Sequence, residues 1–253
     1  MNNLIKEIKQ KKELSDLPDS FIIKILNSYI KKYKINLKYL KSKKQKKLIV
    51  KDIRKELRNY VGRFQVKYNY KGRAKLLKEN KIEKLLKTHS STKERLENYN
   101  QRNQFIYQPN PKSILDLACG LNPLAIAKQG VLYYAIDIKK DELNLIEIFF
   151  KKNKINGKTI LADITKIKEF PKADICLIFK TLDIIEKKSH KKAKEIIEKL
   201  KCKSIVVSFS TKTLSGKPMS SPRRLWFENL INSLNLNFEI RRINNEVFYF
   251  VAK

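Results

Sequence analysis

The apolar pattern of the chain changes near residues 105–112, and this change limits the folds that the sequence can adopt. Up to that point apolar residues recur at the spacing of amphipathic helices, as they do over residues 21–29 and 48–61. The helix-breaking segment Gln108-Pro109-Asn110-Pro111 follows. After it, short apolar runs are separated by helix-like stretches, an alternation typical of α/β domains. We therefore predict two domains, a helical one over residues 1–105 and an α/β one over residues 106–253.

The α/β part is predicted to form a seven-stranded sheet. The strand-like runs are Ser113–Leu117, Val131–Asp137, Ile155–Leu161, Asp174–Phe179, Ser204–Phe209, Leu236–Ile240 and Val247–Val251. Helices are predicted over Glu142–Lys152, Asp183–Leu200 and Pro222–Leu234. This alternation favours a mostly parallel sheet with helices on both faces. Because only Arg241–Glu246 joins the last two strands, we expect them to form an antiparallel hairpin.

The net charge of the chain indicates that its partner is a polyanion. The chain has 57 lysines and arginines against 25 aspartates and glutamates, a formal net charge of +32, which creates an attractive field for a polyanion. Between Lys31 and Lys78 there are 19 basic residues and only two acidic ones, interleaved with aromatic residues. A lysine-rich composition alone is the alternative explanation, but the near-absence of acids favours a phosphate-facing RNA surface. Its predicted contact residues are Lys43, Lys44, Lys46, Lys47, Arg54, Arg58, Arg63 and Lys67.

Several classes of protein are disfavoured by composition. No run of 18 or more apolar residues exists, and the first residues lack the apolar core of a secretory signal. The three cysteines form no CxxC pair, and the two histidines are far apart, so neither a disulfide framework nor a zinc site is indicated. We expect a monomeric cytoplasmic protein with reduced thiols, no metal site and no membrane span.

Acidic residues follow the predicted strands at positions suited to a nucleoside. Asp116 lies in the first strand, Asp137 ends the second and Asp163 follows the third. A dinucleotide would require a G-x-G-x-x-G loop, whereas the loop after the first strand has the single glycine Gly120. S-adenosylmethionine needs one close backbone approach, an acid for its ribose and an acid beside its adenine. The three acids favour this cofactor, although ordinary strand-end turns are the alternative interpretation.

The segment after the fourth strand limits the kinds of methyl transfer that the chain could catalyse. The Asn/Asp-Pro-Pro-aromatic turn of amino-group methyltransferases is absent, since the sequence there is Phe179-Lys180-Thr181-Leu182. Cys119 and Cys176 are placed in the cofactor loop and in a buried strand, which disfavours a thiolate nucleophile. Guanine N7 presents a lone pair directly to a methyl group, so its methylation requires alignment and no general base. We assign no catalytic base.

Three segments together resemble the aminoglycoside-resistance small-subunit rRNA guanine-N7 methyltransferase family. The first, over residues 89–96, is similar to the family's H-x-S-T-x-E-R-L. The second, over residues 114–123, has the family's D-L-A-C-G-x-N-P form of the cofactor loop. The third, over residues 207–216, resembles S-F-P-T-[KR]-S-L-x-G and is followed by Met219 and Trp226-Phe227. The resemblance covers about residues 89–230 and implies a Rossmann-like S-adenosylmethionine-dependent fold preceded by a basic helical domain.

The resemblance also implies roles for individual residues. His89, Ser90, Ser91 and Arg95 would approach the methionine end of the cofactor, with Arg95 a partner for its carboxylate. The rest of the implied cofactor site is Gly120 against the cofactor, Asp137 at the ribose, Asp163 and Ile164 at the adenine, and Ile178 beside them. Around the mouth of the active site, the predicted RNA contacts are Lys212, Arg223 and Arg224.

Three departures from the family pattern concern the side of the site that would receive the target base. Ser210 and Asp183 stand where the family has proline, and Lys187 stands at a position often held by glutamine. The resemblance implies methyl transfer to N7 of a guanine in the decoding region of 16S rRNA, a modification that in this family blocks aminoglycoside binding. Docking would use RNA shape and phosphates, with the base flipped from its stack.

Other functions stay open at this point. Methylation of another rRNA or tRNA nucleotide is the enzymatic alternative, and routine ribosome maturation is an alternative to resistance. A noncatalytic RNA-binding assembly factor would not require Arg95, Asp137 and Asp163, all of which are present. DNA is a weaker alternative partner, because no recognition-helix motif supports it.

Overall fold

The computed structural model describes residues 2–35, 42–61, 65, 69–186, 189–213 and 216–253. The first three helices form a separate packing unit: α1 (Asn2–Lys9), α2 (Asp19–Tyr33) and α3 (Lys43–Tyr60). Each buries one apolar stripe, and together they surround a core that includes Ile8, Ile22 and Leu57. Helix α2 starts directly after Pro18 and ends where Lys34 adopts a left-handed conformation, with φ 51°.

The next four helices pack against the sheet and not in the core of the first three helices. They are α4 (Tyr70–Lys78), α5 (Ile82–Leu86), α6 (Ser90–Arg95) and α7 (Tyr99–Tyr107). Leu77, Leu86 and Ile106 from these helices share one apolar core with the first strands of the sheet. Packing therefore groups α4–α7 with the sheet, although the sequence prediction assigned them to the helical part.

The rest of the chain is built around a seven-stranded sheet, which confirms the predicted fold class. Its strands are β1 (Ser113–Leu117), β2 (Leu132–Asp137), β3 (Gly157–Leu161), β4 (Ile175–Phe179), β5 (Ser204–Ser210), β6 (Phe238–Ile243) and β7 (Glu246–Ala252). The spatial order is β3-β2-β1-β4-β5-β7-β6. Strands β1 to β5 pair in parallel, whereas β7 pairs antiparallel with both β5 and β6.

The terminal hairpin is tighter than predicted. Strand β6 runs to Ile243, which pairs with Glu246, so only Asn244 and Asn245 form the turn. Asn244 has a positive φ of 49°, a conformation that asparagine tolerates in such turns. The charged pair Arg241-Arg242 suggested a loop, but the guanidinium of Arg241 lies over the ring of Phe105, 4.4 Å from its centroid. This edge strand is thus stabilised by an aromatic neighbour.

Helices on the two faces complete the α/β layers. They are α8 (Pro123–Ile126), α9 (Lys140–Lys152), α10 (Leu182–Ile185), α11 (Lys191–Lys199) and α12 (Leu225–Ser233). The helix predicted over Asp183–Leu200 is wrong as one element: α10 and α11 are separate, and His190 just before α11 has a left-handed φ of 53°. Helix α12 begins three residues later than predicted, at Leu225.

Candidate active site

A cavity of about 380 Å³ lies at the carboxyl ends of β1, β2 and β4. In open parallel sheets this edge, where neighbouring connections diverge, is the usual place for a ligand. The far wall of the cavity is made by helices α2 and α3, which contribute Phe21, Ile25 and Tyr60. The volume is in the range of ordinary small-molecule pockets.

The loop after β1 brings backbone close to the cavity. Gly120 has a φ of 52°, and a Cβ placed there would lie 3.1 Å from Nε2 of His89. Both the backbone conformation and the limited space therefore favour glycine at this position. Asp116, one residue before the end of β1, accepts hydrogen bonds from the Tyr133 hydroxyl at 2.7 Å and from Nδ2 of Asn122 at 3.0 Å. Burial raises the pKa of Asp116 to about 6 despite these bonds.

Asp137, at the end of β2, is held by backbone amides. Its Oδ2 accepts from Gly120 N at 2.8 Å, and its Oδ1 accepts from Ile138 N at 2.7 Å and Lys139 N at 2.9 Å. Burial and the neighbouring Glu142 charge raise the pKa of Asp137 to about 7, against the lowering effect of the amides. A carboxylate offers about four acceptor positions, so three amide bonds leave one for a ligand hydroxyl.

Asp163 follows β3 and is tied to the N-terminal helices. Its Oδ2 accepts from Nζ of Lys24 on α2 at 2.5 Å, and its Oδ1 accepts from the backbone N and the hydroxyl of Thr165 at 2.9 and 2.7 Å. Burial raises the pKa of Asp163, but these bonds and the Lys24 charge outweigh it and hold the pKa below its ordinary value. The carboxylate is therefore ionised at neutral pH.

Arg95, at the end of α6, is part of a buried charge cluster. Its Nε and Nη2 donate to the two carboxylate oxygens of Glu246 at 3.0 and 2.7 Å, and its guanidinium lies over the ring of Phe179. Nη2 of Arg102 is 3.6 Å from Glu246, and Nζ of Lys180 is 3.9 Å from it. Burial raises the pKa of Glu246, but the surrounding cations prevail and lower it to about 2.

A second charge cluster lies beside His89. Glu142, in the first turn of α9, accepts from Nη1 of Arg73 at 3.1 Å and from Nε2 of Gln65 at 2.7 Å, and the Arg73–Glu142 pair is almost completely buried. Burial lowers the pKa of His89 to about 4, so its imidazole is neutral at pH 7.

Most of the predicted cofactor residues meet in the cavity. Its lining includes His89, Ser91, Arg95, Gly120, Asp137, Asp163 and Ile164, whereas Ser90 does not line it. Ile178, by contrast, does not line the cavity: this side chain is fully buried in the apolar cluster that includes Ile196 and Ile197 of α11. Successive residues of a strand face opposite sides of the sheet, so it is Phe179 that borders the cavity.

The predicted RNA contacts fall into different environments. Lys43, Lys44, Lys46, Lys47 and Lys212 are exposed. Arg63 and Lys67 lie outside the described residues.

The remaining arginines of that prediction have partners within the protein. Arg54 donates to the backbone carbonyls of Glu7 and Ile8, Arg58 pairs with Glu13, and Arg223 pairs with Glu228. Arg224 is buried, pairs with Asp183 at 3.0 Å and donates to Ser210 O at 2.9 Å. Its predicted RNA contact is therefore not supported, because its guanidinium is used to join β5, α10 and α12.

The three departures from the family pattern have partly structural roles. Asp183 is the partner of Arg224, and the hydroxyl of Ser210 donates to Lys212 O at 2.8 Å. Lys187 lies outside the described residues. Two of the substituted positions are thus tied into the segment that follows β5.

Sequence reasoning missed several charged residues of the site, among them Lys24, Glu142 and Lys180 in the cavity lining and Glu246 beside Arg95. Lys24 lies among the apolar residues of the α2 stripe and Glu142 among those of α9, a pattern that signals a buried charge. Glu246 was placed in a loop, so its burial gave no signal. Within the part of the chain that the structure describes, no group of three or more metal-ligating side chains occurs and no helix is long and apolar enough to cross a membrane.

Comparison with known proteins places this geometry among RNA-modifying enzymes. Residues 71–251 match the sequence profile of a family described as ribosomal RNA methyltransferase (FmrO). A Serratia marcescens protein named 16S rRNA (guanine(1405)-N(7))-methyltransferase is 30% identical over 217 residues, which span 83% of this chain and 85% of that protein.

Solved structures agree with the match. The 16S rRNA methylase RmtB is similar over 100% of this chain and 98% of its own, with a TM-score of 0.80 and 26% identity. The 16S rRNA methyltransferase RmtF in complex with S-adenosyl-L-homocysteine shares the fold over 100% of this chain and 97% of its own, with a TM-score of 0.81 and 21% identity.

Proposed function

The chain belongs to the ribosomal RNA methyltransferase (FmrO) family, and from this membership we propose that it methylates N7 of a guanine in the decoding region of 16S rRNA, with S-adenosylmethionine as donor. The observation that carries the proposal is the convergence of Gly120, Asp137 and Asp163 on one cavity at the carboxyl ends of the strands. The Serratia relative is named for this reaction. The S-adenosyl-L-homocysteine bound in RmtF is the demethylated form of the proposed donor.

The residues of the cavity fit such a cofactor. The remaining acceptor position of Asp137 suits a ribose hydroxyl, and the Asp163 carboxylate with Ile164 suits the edge of an adenine. Gly120 places loop backbone at the cavity wall, where a Cβ would press against His89. Glu246 takes two of the five N–H donors of Arg95, which leaves others for the methionine carboxylate.

The charge cluster at the methionine end supports the same assignment. Arg95, Arg102 and Lys180 supply three positive charges around Glu246, and Lys180 also pairs with Glu94 at 2.5 Å. Around Glu246 itself, three cations face one carboxylate, and the Lys180 and Arg95 charges are also shared with Glu94 and Asp116. Arg95, with N–H donors that Glu246 does not use, remains the cation of this cluster suited to a bound carboxylate.

The reaction requires alignment more than proton transfer. When bound, S-adenosylmethionine supplies an electrophilic methyl group, and guanine N7 offers a lone pair to it. The protein's contribution is then to orient the two and to exclude water from between them. His89, neutral at pH 7 and buried against Gly120, fills space beside the loop and brings no charge toward a sulfonium.

RNA docking is assigned to exposed cations. Lys43, Lys44, Lys46 and Lys47 form the exposed start of α3, and Lys212 follows β5 near the predicted mouth. Such contacts would position folded rRNA through its phosphates, and the target guanine would be flipped toward the cavity. Residues 1–105 would act as the RNA-docking domain, on a chain that works as a cytoplasmic monomer.

Resistance to aminoglycosides is the expected consequence of methylation in the decoding region. Cells that express the protein should grow at aminoglycoside concentrations that arrest control cells, whereas cells that express the Asp137→Ala variant should not. Unchanged susceptibility with a methylated decoding site would favour a role in ribosome maturation.

The biochemical test uses S-adenosylmethionine with a labelled methyl group. Small ribosomal subunits, naked 16S rRNA and tRNA are each incubated with the purified protein, with Asp137→Ala as the inactive control. Label in 16S rRNA supports the proposal. Label in tRNA alone would show that the protein is a tRNA methyltransferase. Absence of transfer to all three, with cofactor still bound, would favour a noncatalytic RNA-binding factor.

A further inference from the structure

Helix α2 reaches across the cavity and contacts the strand ends. Lys24 donates to Oδ2 of Asp163 at 2.5 Å and to the hydroxyl of Thr165 at 2.8 Å. The two charged side chains are only 29% and 15% exposed, so solvent screens the pair less than it would a surface pair. Because Lys24 is 139 residues from Asp163 in sequence, the bond joins two separate packing units.

A second contact fixes the segment that connects α1 to α2. Nζ of Lys139, directly beyond β2, pairs with Asp16 and donates to Glu13 O at 2.9 Å. Both side chains of the Lys139–Asp16 pair are 3% exposed. The N-terminal helices are therefore attached at the ends of both β2 and β3, on either side of the proposed nucleoside position.

Between these contacts the helices present an apolar wall. Phe21 and Ile25 of α2 and Tyr60 of α3 line the cavity, and the rings of Phe21 and Tyr60 meet edge to face at 5.5 Å. Burial and the charges of Glu56 and Asp163 raise the pKa of Tyr60, which agrees with its position near the Asp163 carboxylate. An aromatic wall opposite a carboxylate suits the face and the amino edge of one adenine.

We propose that α2 is part of the cofactor site and that Lys24 is a positioning residue, which holds the Asp163 carboxylate toward the adenine amino group while Phe21, Ile25 and Tyr60 cover the nucleoside. This inference rests on the proposed function. It assigns to the RNA-docking helices a direct share in binding S-adenosylmethionine. The α/β part then supplies only one side of the nucleoside pocket.

The experiment measures the affinity of S-adenosylhomocysteine by calorimetry for the wild-type protein and three variants. Lys24→Met removes the charge and keeps most of the side-chain stem, and we expect roughly tenfold weaker binding. Lys24→Arg keeps a cation and should restore affinity to within about threefold of the wild type. Lys31→Met, an exposed position near the end of the same helix, should leave the affinity unchanged.

Two further readouts separate positioning from general stability. In Lys24→Met the KM for S-adenosylmethionine should rise while the KM for the small subunit stays at its wild-type value. In the wild-type protein, bound S-adenosylhomocysteine should slow hydrogen exchange in α2, a result that does not depend on any variant folding.

The inference is overturned if Lys24→Met binds S-adenosylhomocysteine as tightly as the wild type or more tightly, or if exchange in α2 does not respond to the ligand. In that case wild-type methylation of rRNA would still uphold the proposed function. A wild-type protein that binds no S-adenosylhomocysteine would overturn the proposed function, and this inference with it.

Discussion

Arg95 and Glu246 form a two-point ion pair in the interior of the protein, with Nε to Oε2 at 3.0 Å and Nη2 to Oε1 at 2.7 Å. The pair joins α6, which precedes the sheet, to the first residue of β7 at the far end of the chain. The two side chains are 3% and 2% exposed. The geometry explains how a residue predicted to bind cofactor is held in place by a residue that the sequence did not single out.

Replacing Glu246 with glutamine should destabilise the fold strongly. The change leaves Arg95 and Arg102 as buried cations without their carboxylate, and such losses cost about 3–5 kcal/mol of unfolding free energy. Denaturant titration measures the effect. The control is Glu239→Gln, because Glu239 is 73% exposed and its loss should change stability by less than about 0.5 kcal/mol. Equal effects of the two variants would show that the buried pair does not stabilise the protein.

The same pair predicts an acid dependence. The pKa of Glu246 is about 2 in the folded protein and 4.5 ordinarily, so its contribution is fully present above about pH 4.5 and is lost as the pH falls toward 2. The stability difference between the wild type and Glu246→Gln should therefore shrink over that interval. A difference that stays constant down to pH 2 would contradict the lowered pKa.

Cofactor affinity should depend on pH through Asp137. Its pKa is raised to about 7, and a ribose hydroxyl is accepted best by the ionised carboxylate. Wild-type affinity for S-adenosylhomocysteine should therefore fall about tenfold from pH 8 to pH 6. Asp137→Asn should bind more weakly and lose most of this dependence. Of the other cavity groups, Asp116, with a pKa of about 6, titrates only at the acid end of the window, and His89, with a pKa of about 4, does not titrate in it. A flat wild-type profile measured by calorimetry would argue against Asp137 as the ribose acceptor.

RNA affinity should depend on salt through the start of α3. Neutralising Lys43, Lys44, Lys46 and Lys47 to glutamine should weaken binding and reduce the slope of log affinity against log salt by about 0.7–0.9 for each phosphate that the variant no longer neutralises. Filter binding to 16S rRNA at several salt concentrations measures the slope. The matched control neutralises four exposed lysines elsewhere: Lys154, Lys158, Lys168 and Lys172. An equal reduction in both variants would show that binding follows net charge and not this surface.

Ile178 should behave as a core residue. Ile178→Val removes one methylene from a fully buried side chain and should cost about 0.5–1.5 kcal/mol of unfolding free energy, with no change in affinity for S-adenosylhomocysteine. Thermal unfolding measures the change in stability, and calorimetry on the same preparation measures the affinity. A several-fold loss of affinity would show that Ile178 contributes to cofactor binding and would contradict its position on the opposite face of β4.

Local pattern was sufficient to predict most of the sheet. Strand β1 coincides with its prediction, and β2 and β4 differ from theirs by one residue, because strand-length apolar runs bounded by polar turns are local signals. The errors concern positions where tertiary contacts decide. Arg241 lies in β6 and stacks on Phe105, and the helix predicted from Asp183 ends before Glu186, whose backbone is extended with a ψ of 141°.

Site residues could be predicted from the sequence where the role depends on one residue and its local motif. They could not be predicted where the role depends on an ion-pair partner from a distant segment. Gly120 and Asp137 are specified by the strand–loop pattern alone. The partners Lys24, Glu142 and Glu246 come from distant segments, and sequence spacing carries no information about such pairs without a fold. Arg224 was predicted from sequence to contact RNA at the surface, whereas in the structure its side chain is buried and bonded within the protein.

The central claim is tested most directly by mapping the modified base. Small subunits incubated with the protein and S-adenosylmethionine are treated to cleave rRNA at N7-methylguanine, and the cut is located by primer extension. The account predicts one new cut at a guanine of the decoding region in 16S rRNA, which the Asp137→Ala variant does not produce. Methyl label incorporated into 16S rRNA without cleavage at any guanine would contradict N7 methylation, and a cut outside the decoding region would contradict the proposed target.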